Sequence, residues 1–191
     1  SYLYSPPLRK VFVKTDEDNS IYACTATSSH KYNSSGELIY NIQSPFADVI
    51  PDNSGGFFGL VKDFPRIYHY NAVGTLIEQS PVIYQTDGAT SSVPQLQLRS
   101  DDHGNLYAVG AFKNNMVFGI DTLNSIFTSG ISLLKFNSEL MPVSSNTMTS
   151  STQIFLKGFD IRENNVVIAS LNSGATIDLN GGSMNNFDNN F

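Results

Sequence analysis

The sequence predicts an all-β chain built as β-propeller blades, and three observations carry that prediction. A polar turn followed by an apolar strand occurs four times: DEDNSIYAC from Asp16, DNSGGFFGLV from Asp52, DDHGNLYAVG from Asp101 and DIRENNVVIAS from Asp160. A second element, an aromatic followed by Asn, recurs as Lys31-Tyr32-Asn33-Ser34, His69-Tyr70-Asn71-Ala72 and Lys135-Phe136-Asn137-Ser138. The strands after the acidic turns, Leu106 to Phe112 above all, are apolar at successive positions, so both of their faces need cover. Self-similarity at this spacing, with no sustained helical periodicity, marks a repeat architecture. Small sheets stacked face to face around an axis bury a middle strand on both sides, whereas a β-sandwich leaves each sheet one wet face.

Each copy reads as four short strands. Strand a precedes the acidic turn: Val11 to Lys14, Asp48 to Ile50, Leu96 to Arg99 and Ile154 to Lys157. Strand b opens at Ile21, Phe57, Leu106 and Val166, and strand c ends at the aromatic before Asn. Strand d carries the pairs Leu38-Ile39 and Leu76-Ile77, each reached through a glycine three residues after the Asn, Gly36 and Gly74. Glycine accepts the positive φ of a hairpin turn at little cost. In the third copy Leu140 stands at that place, which predicts a different turn there. The copies span about 8–42, 46–79, 94–143 and 153–191, the last without strands c and d.

Composition narrows the class. The 191 residues suit one domain, here an arc over 1–191, and only 15% are charged, with a net charge of −6. No basic stripe offers nucleic acid a surface. No run of about 20 apolar residues would span a membrane. Cys24, the sole cysteine, allows neither an intrachain disulfide nor a cysteine zinc site, and its alignment with Val109 predicts a small buried residue. The opening SYLYSPPLRK lacks the apolar core of a signal peptide, which suggests a mature terminus or an internal piece.

The kernel D-x-x-G-N-x-Y-x-x-G, Asp101 to Gly110, followed by MVFGIDTLNS and TSGISLLKFNS, resembles the SBBP-type β-propeller repeat of secreted bacterial proteins. The likeness is fullest over 101–138, partial over 160–191 and weak in the first two copies. It implies an extracellular or cell-surface propeller serving as a scaffold or binding surface, and it transfers no catalytic or metal residue. Propellers close with about four to eight blades, so three blades and part of a fourth imply a fragment of a larger, seven-bladed ring. The remaining blades would come from the same longer chain or from a second chain.

Strand parity separates two ends. The turns between a and b and between c and d are tight, while every long segment lies at the opposite end: Lys113–Gly130, Asn172–Phe191, Gln79–Pro94 and Val143–Gln153. Loops on a rigid scaffold carry recognition. The expected binding face is therefore made of loops bearing Lys113, Asn114, Asn115, Asp121, Asn124, Asn172 and Asn180. The expected partner is a protein or glycan, with no cofactor. The alternative is part of a secreted enzyme acting on polysaccharide at a channel mouth.

No residue pattern assigns catalysis or a metal. Asp16-Glu17-Asp18-Asn19-Ser20 has oxygens at alternate positions, yet lacks the central glycine and distant Glu of a calcium loop, and a hairpin turn explains it. His30, His69 and His103 fall at different repeat positions and read as solvated edge residues. Asp101-Asp102 are sequence neighbours on a turn, a poor geometry for two acids flanking a glycosidic bond. No G-x-S-x-G elbow occurs. Tyr22, Tyr32, Tyr70, Tyr107 and Phe136 are expected in the core.

Overall fold

The structure, a computed structural model, describes residues 12–25, 27–52, 54–61, 65–86, 91–92, 95–101, 103–124, 129–150, 154–162, 165–172 and 177–180. Every regular element among the described residues is a β-strand, so the all-β class holds. The sheets are open and antiparallel, and none closes on itself. Two compact units divide the chain, Ser1–Pro81 and Val82–Phe191.

In the first unit β1 (Phe12–Thr15), β2 (Ile21–Cys24), β3 (Ser29–Tyr32) and β4 (Leu38–Ile42) pair in chain order. A second sheet repeats that order with β5 (Phe46–Pro51), β6 (Phe57–Val61), β7 (Ile67–Tyr70) and β8 (Leu76–Gln79). These are the strands expected of the first two copies, with strand a of the second copy starting at Phe46. Tyr22 and Cys24 from one sheet and Phe46, Val49 and Phe57 from the other form one apolar core, flanked by Tyr40, Tyr68 and Tyr70. Phe57 stacks on Tyr70 with ring centres 5.0 Å apart. A Cβ at Gly59 would meet the Phe46 ring at 2.7 Å, so that close approach requires glycine. The opposite face of the first sheet is wet, with Val13 and Ile21 exposed.

The second unit holds β9 (Ile83–Thr86), β10 (Ser91–Ser92), β11 (Gln95–Ser100), β12 (Leu106–Phe112), β13 (Asn115–Phe118) and β14 (Asp121–Asn124). It continues with β15 (Ser129–Phe136), β16 (Pro142–Ser150), β17 (Ile154–Arg162), β18 (Asn165–Asn172) and β19 (Ile177–Asn180). The third copy is the sheet β11-β12-β15-β16, extended by β19 on the outer edge of β16. β17 and β18 form a two-stranded sheet whose Phe159 and Ile161 pack on Val109 and Ile131. Both faces of β12 are buried: Leu106, Ala108 and Phe112 on one side, and Val109, 0% exposed, on the other. β18 differs from the expectation, since Val167 is 63% exposed; among the described residues no sheet lies on that side.

Six tight turns share one geometry. At each, the backbone N–H of an Asp or Asn donates to the carbonyl four residues on: Asp16, Asn33, Asp52, Asn71, Asp101 and Asn137. The side-chain Oδ1 of each accepts the N–H of that fourth residue, at 2.7 to 2.9 Å. The third residue on has positive φ in every case, namely Asn19, Gly36, Gly55, Gly74, Gly104 and Leu140. This is the three-residue hairpin loop in which a type I turn ends on a left-handed residue. The expectation of a different turn at Leu140 is corrected: Leu140 adopts φ 54° and closes the same bonds. Its side chain is fully buried, and that burial offsets the strain of a left-handed leucine.

The fourth acidic turn is also corrected. Asp160 lies inside β17 opposite Val167, and that strand runs on until Arg162 faces Asn165. The reason is spacing. Asp160 is six residues ahead of Val166, where Asp16, Asp52 and Asp101 are five ahead of Ile21, Phe57 and Leu106, so it falls within the strand and not at the turn position.

Candidate functional site

The most highly charged arrangement is built on the turn aspartates. A residue six places after each is aromatic, Tyr22, Phe58 or Tyr107, and the strand register sets it opposite a basic residue or histidine, Lys31, His69 or Lys135. Lys31 Nζ lies 3.6 Å from Asp16 Oδ2 and 4.9 Å from the Tyr22 ring centre. His69 Nε2 lies 2.6 Å from Asp52 Oδ2 and stacks on Phe58 at 4.2 Å. Lys135 sits 5.5 Å from the Tyr107 ring, whose hydroxyl donates to Asp101 Oδ2 at 3.1 Å. This explains the D-x-x-x-x-x-Y spacing of the repeat kernel.

Burial shapes the electrostatics of these groups. At Asp16 burial pushes the carboxyl up, but the Ser20 N–H, the Tyr22 hydroxyl and the Lys31 charge outweigh it and hold the group below its ordinary value. Burial likewise opposes His69, Ser54 and Gly56 at Asp52, where the donors again win. At Asp101 the winning donors are Asn105, Tyr107 and His103. Lys31 is only 4% exposed and also donates to the Gly55 carbonyl. Burial raises the Tyr22 hydroxyl well above its ordinary value, with Tyr40 and Asp16 adding to the effect, so it stays a proton donor.

Chemically, this arrangement fits a structural clasp. Ser54 Oγ donates to Asp52 Oδ1 at 2.9 Å while His69 meets Oδ2, so the carboxylate stands between serine and imidazole. Nucleophilic catalysis needs the imidazole in the middle. The oxygens of Asp16 that a cation would need are taken by Ser20, Tyr22 and Lys31. Recurrence of the arrangement in three sheets also points to a shared structural task. His69 is thus corrected from a solvated edge residue to an internal partner. His30 is half-buried, with Nε2 3.0 Å from Ser28 Oγ, and His103 is exposed. Asp102 lies outside the described residues. Cys24 is buried as expected, and burial pushes its thiol up to about 11. Of the expected core aromatics, Tyr22 and Phe136 are buried and Tyr32, Tyr70 and Tyr107 half-buried.

The long segments are where sequence and structure differ most. Expected as loops, they contain the strands β9, β10, β13, β14 and β19 and most of β16. β13 and β14 form a hairpin around Gly119 and Ile120, with Gly119 at φ 62°. That hairpin pairs with β9 from the preceding long segment, giving the sheet β10-β9-β13-β14. Two segments assigned to the same end by parity therefore join each other. The second such pair does likewise, β19 running along the last residues of β16.

This moves the expected site residues. Lys113 and Asn114 connect β12 to β13, Lys113 N–H donates to Gln85 Oε1 at 2.8 Å, and Asn114 has φ 55°. Asn115, Asp121 and Asn124 lie in the added sheet, Asn172 ends β18 opposite Ile154, and Asn180 ends β19 opposite Thr147. The loop assignment is corrected for these five: for Asn115, Asp121 and Asn124 because the Gly-first two-residue turn after Met116-Val117-Phe118 is a hairpin signal that the polar composition masks, and for Asn172 and Asn180 because strand pairing with Ile154 and Thr147 extends to them. Residues 181–191 lie outside the described residues.

The added sheet has two unlike faces. Ile83, Met116 and Phe118 point to the buried side. Register sets Tyr84, Val117 and Thr122 in one outward row and Thr86, Asn115 and Asn124 in the next. Tyr84 is 38% exposed. Sequence reasoning missed Tyr84 and Thr122, whose signal was the alternation Ile83-Tyr84-Gln85-Thr86.

No family model and no curated protein matches the sequence. Among solved structures, the chain is similar to a protein of unknown function from Bacteroides caccae, at 10% identity and a TM-score of 0.44. The match covers 73% of this chain and 61% of that one, so the chain spans less than two thirds of the length of the structure it matches. No helix among the described residues is long and apolar enough to cross a membrane.

Proposed function

We propose that the chain is a binding module, part of a secreted β-propeller of the SBBP repeat type, that presents the outer face of the β10-β9-β13-β14 sheet to a glycan. The observation that carries this reading is the pair of outward rows on that sheet. Tyr84 on β9 supplies a flat apolar surface next to Val117 and diagonal to the Asn115 amide on β13, with the Thr122 hydroxyl and the Asn124 amide one strand further on β14. Adjacent strands lie about 4.8 Å apart and alternate residues about 7 Å apart, a spacing that suits a sugar ring on the tyrosine with its hydroxyls over the amides. The four-stranded repeats and the doubly buried β12 support the propeller reading. Enzymatic action on polysaccharide finds no support in the turn carboxylates, which already hold hydrogen bonds within their own sheets.

The test is glycan-array binding of the full chain, followed by titration with the strongest oligosaccharide. Tyr84→Ala and Asn115→Ala should each weaken binding roughly tenfold or more, at unchanged thermal stability. Binding indifferent to both substitutions, or glycan turnover abolished by a single acid-to-amide change, would sink this reading. A protein that competes on the same face would redirect it to a protein partner.

A further inference from the structure

Each of the two compact units holds one mating of sheet on sheet, and the two matings use the same positions. In the first unit the face of β2 that carries Tyr22 and Cys24 packs on the face of the next sheet that carries Val49 and Phe57. In the second unit the face of β12 that carries Tyr107 and Val109 packs on the face of β17 and β18 that carries Phe159 and Val166. Counted from Ile21 and Leu106, Tyr107 and Val109 stand where Tyr22 and Cys24 do. Register extends the match to the other side: Val49 lies opposite Gly59 and Phe159 opposite Ile168, two residues past Phe57 and Val166. Each sheet thus has a front face and a back face, and front meets back both times.

Among the described residues one face of each kind is uncovered. The back face of the first sheet holds Val13, opposite Ala23, and Ile21, at the positions of Val49 and Phe57. Val13 is 59% exposed where Val49 is 0%, and Ile21 is exposed where Phe57 is buried. The front face of β18 holds Val167 at the position of Tyr22, and it is exposed where Tyr22 is buried. One chain therefore carries, unmated, both halves of an interface that it forms twice within itself. We propose that the chain assembles head to tail with a second copy of itself, the back face of β1–β4 in one copy docking on the front face of β17 and β18 in the next. Val167 brings no hydroxyl to repeat the tie that Tyr22 makes to Gly56, so the contact rests on apolar burial and is reversible. Being heterologous, it closes into a ring or grows into a filament according to the rotation between copies. The inference rests on the propeller part of the reading above and not on its glycan part, since Val13, Ile21 and Val167 lie outside β9, β13 and β14.

Sedimentation of the full chain over a concentration series tests it. The mass should rise with concentration, to a fixed oligomer if the contact closes and steadily if it does not. Val13→Asp and Val167→Asp each place an unpaired charge in the contact and should weaken association at least roughly tenfold. Each variant keeps one sound half, so an equal mixture of the two should form a mixed dimer, which also shows that both are folded. Ile120→Asp, at an exposed hairpin tip, should leave association unchanged. A wild-type chain that stays monomeric at about 1 mM, or association untouched by either aspartate, would overturn the proposal. So would a mixture that stays monomeric while circular dichroism shows both variants folded. Assembly without glycan binding would uphold it and strike the glycan reading alone, and glycan binding by a chain that never assembles would do the reverse.

Discussion

The hydroxyl of Tyr22, on the first sheet, lies 3.0 Å from the carbonyl oxygen of Gly56, in the acidic turn of the second. The same hydroxyl lies 3.1 Å from Asp16 Oδ2, so a single side chain ties its own turn to its neighbour's. Tyr22→Phe keeps the ring in the core and removes only this tie. It should cost about 1–3 kcal/mol, the range for stripping a partner from buried polar groups. Urea unfolding at neutral pH measures it, and a loss below about 0.3 kcal/mol would mean the bond contributes nothing.

Leu140 offers a reversal of the usual substitution order. In the middle of a helix or strand, glycine is less stable than alanine by about 0.5–1 kcal/mol. Here Leu140→Ala loses the buried side chain and keeps the left-handed strain, whereas Leu140→Gly loses the same side chain and relieves it. The glycine variant should be more stable than the alanine variant by about 1 kcal/mol. Thermal denaturation of the two proteins side by side decides the order.

The doubly buried β12 is tested at Leu106. Truncation to alanine should cost about 2–5 kcal/mol, as deletion of a buried leucine does. Ile120→Ala, at a fully exposed hairpin tip, should change stability by less than about 0.5 kcal/mol. Equal effects at the two sites would contradict the burial of Leu106.

Acid should destabilise the protein in a defined direction. The carboxyls of Asp16, Asp52 and Asp101 are all held below the ordinary 3.8 in the folded chain. Near and below that value the unfolded chain binds more protons than the folded one, so stability present above it is lost as pH falls. The melting temperature should decline steadily from about pH 5 downward. Asp101→Asn should flatten that decline and lower stability at neutral pH, where the charged acceptor of Asn105 and Tyr107 is missing.

How much of this could be read from the chain is clear at individual residues. The aspartates and asparagines that open the turns are legible, because a short acceptor side chain followed by glycine three places on states its own geometry. Leu140 is not legible in that way: the turn is set by Asn137 and by tertiary burial, which override the preference for glycine. The pairing of His69 with Asp52 was present as an alignment with Lys31 and Lys135, but its meaning needed the register that puts strand c against strand b. The added sheet was hidden because Asn, Ser and Thr read as loop while β13 gains its stability from β9, about thirty residues away in sequence. Asp160 shows the cost of aligning by residue type alone, since one extra residue of spacing takes it out of the turn position and into β17 opposite Val167.

The six shared hairpin loops fix the residue count at one end of every sheet that has them. Adding a single amino acid there would exchange the inward and outward sides of the strand that follows. The opposite end carries no such rule, and two whole strands have been accommodated between Phe112 and Ser129 without disturbing the pairing of β12 with β15. Within the third sheet, growth in length is thereby confined to the end away from its hairpin loops, where the β13–β14 hairpin stands between β12 and β15.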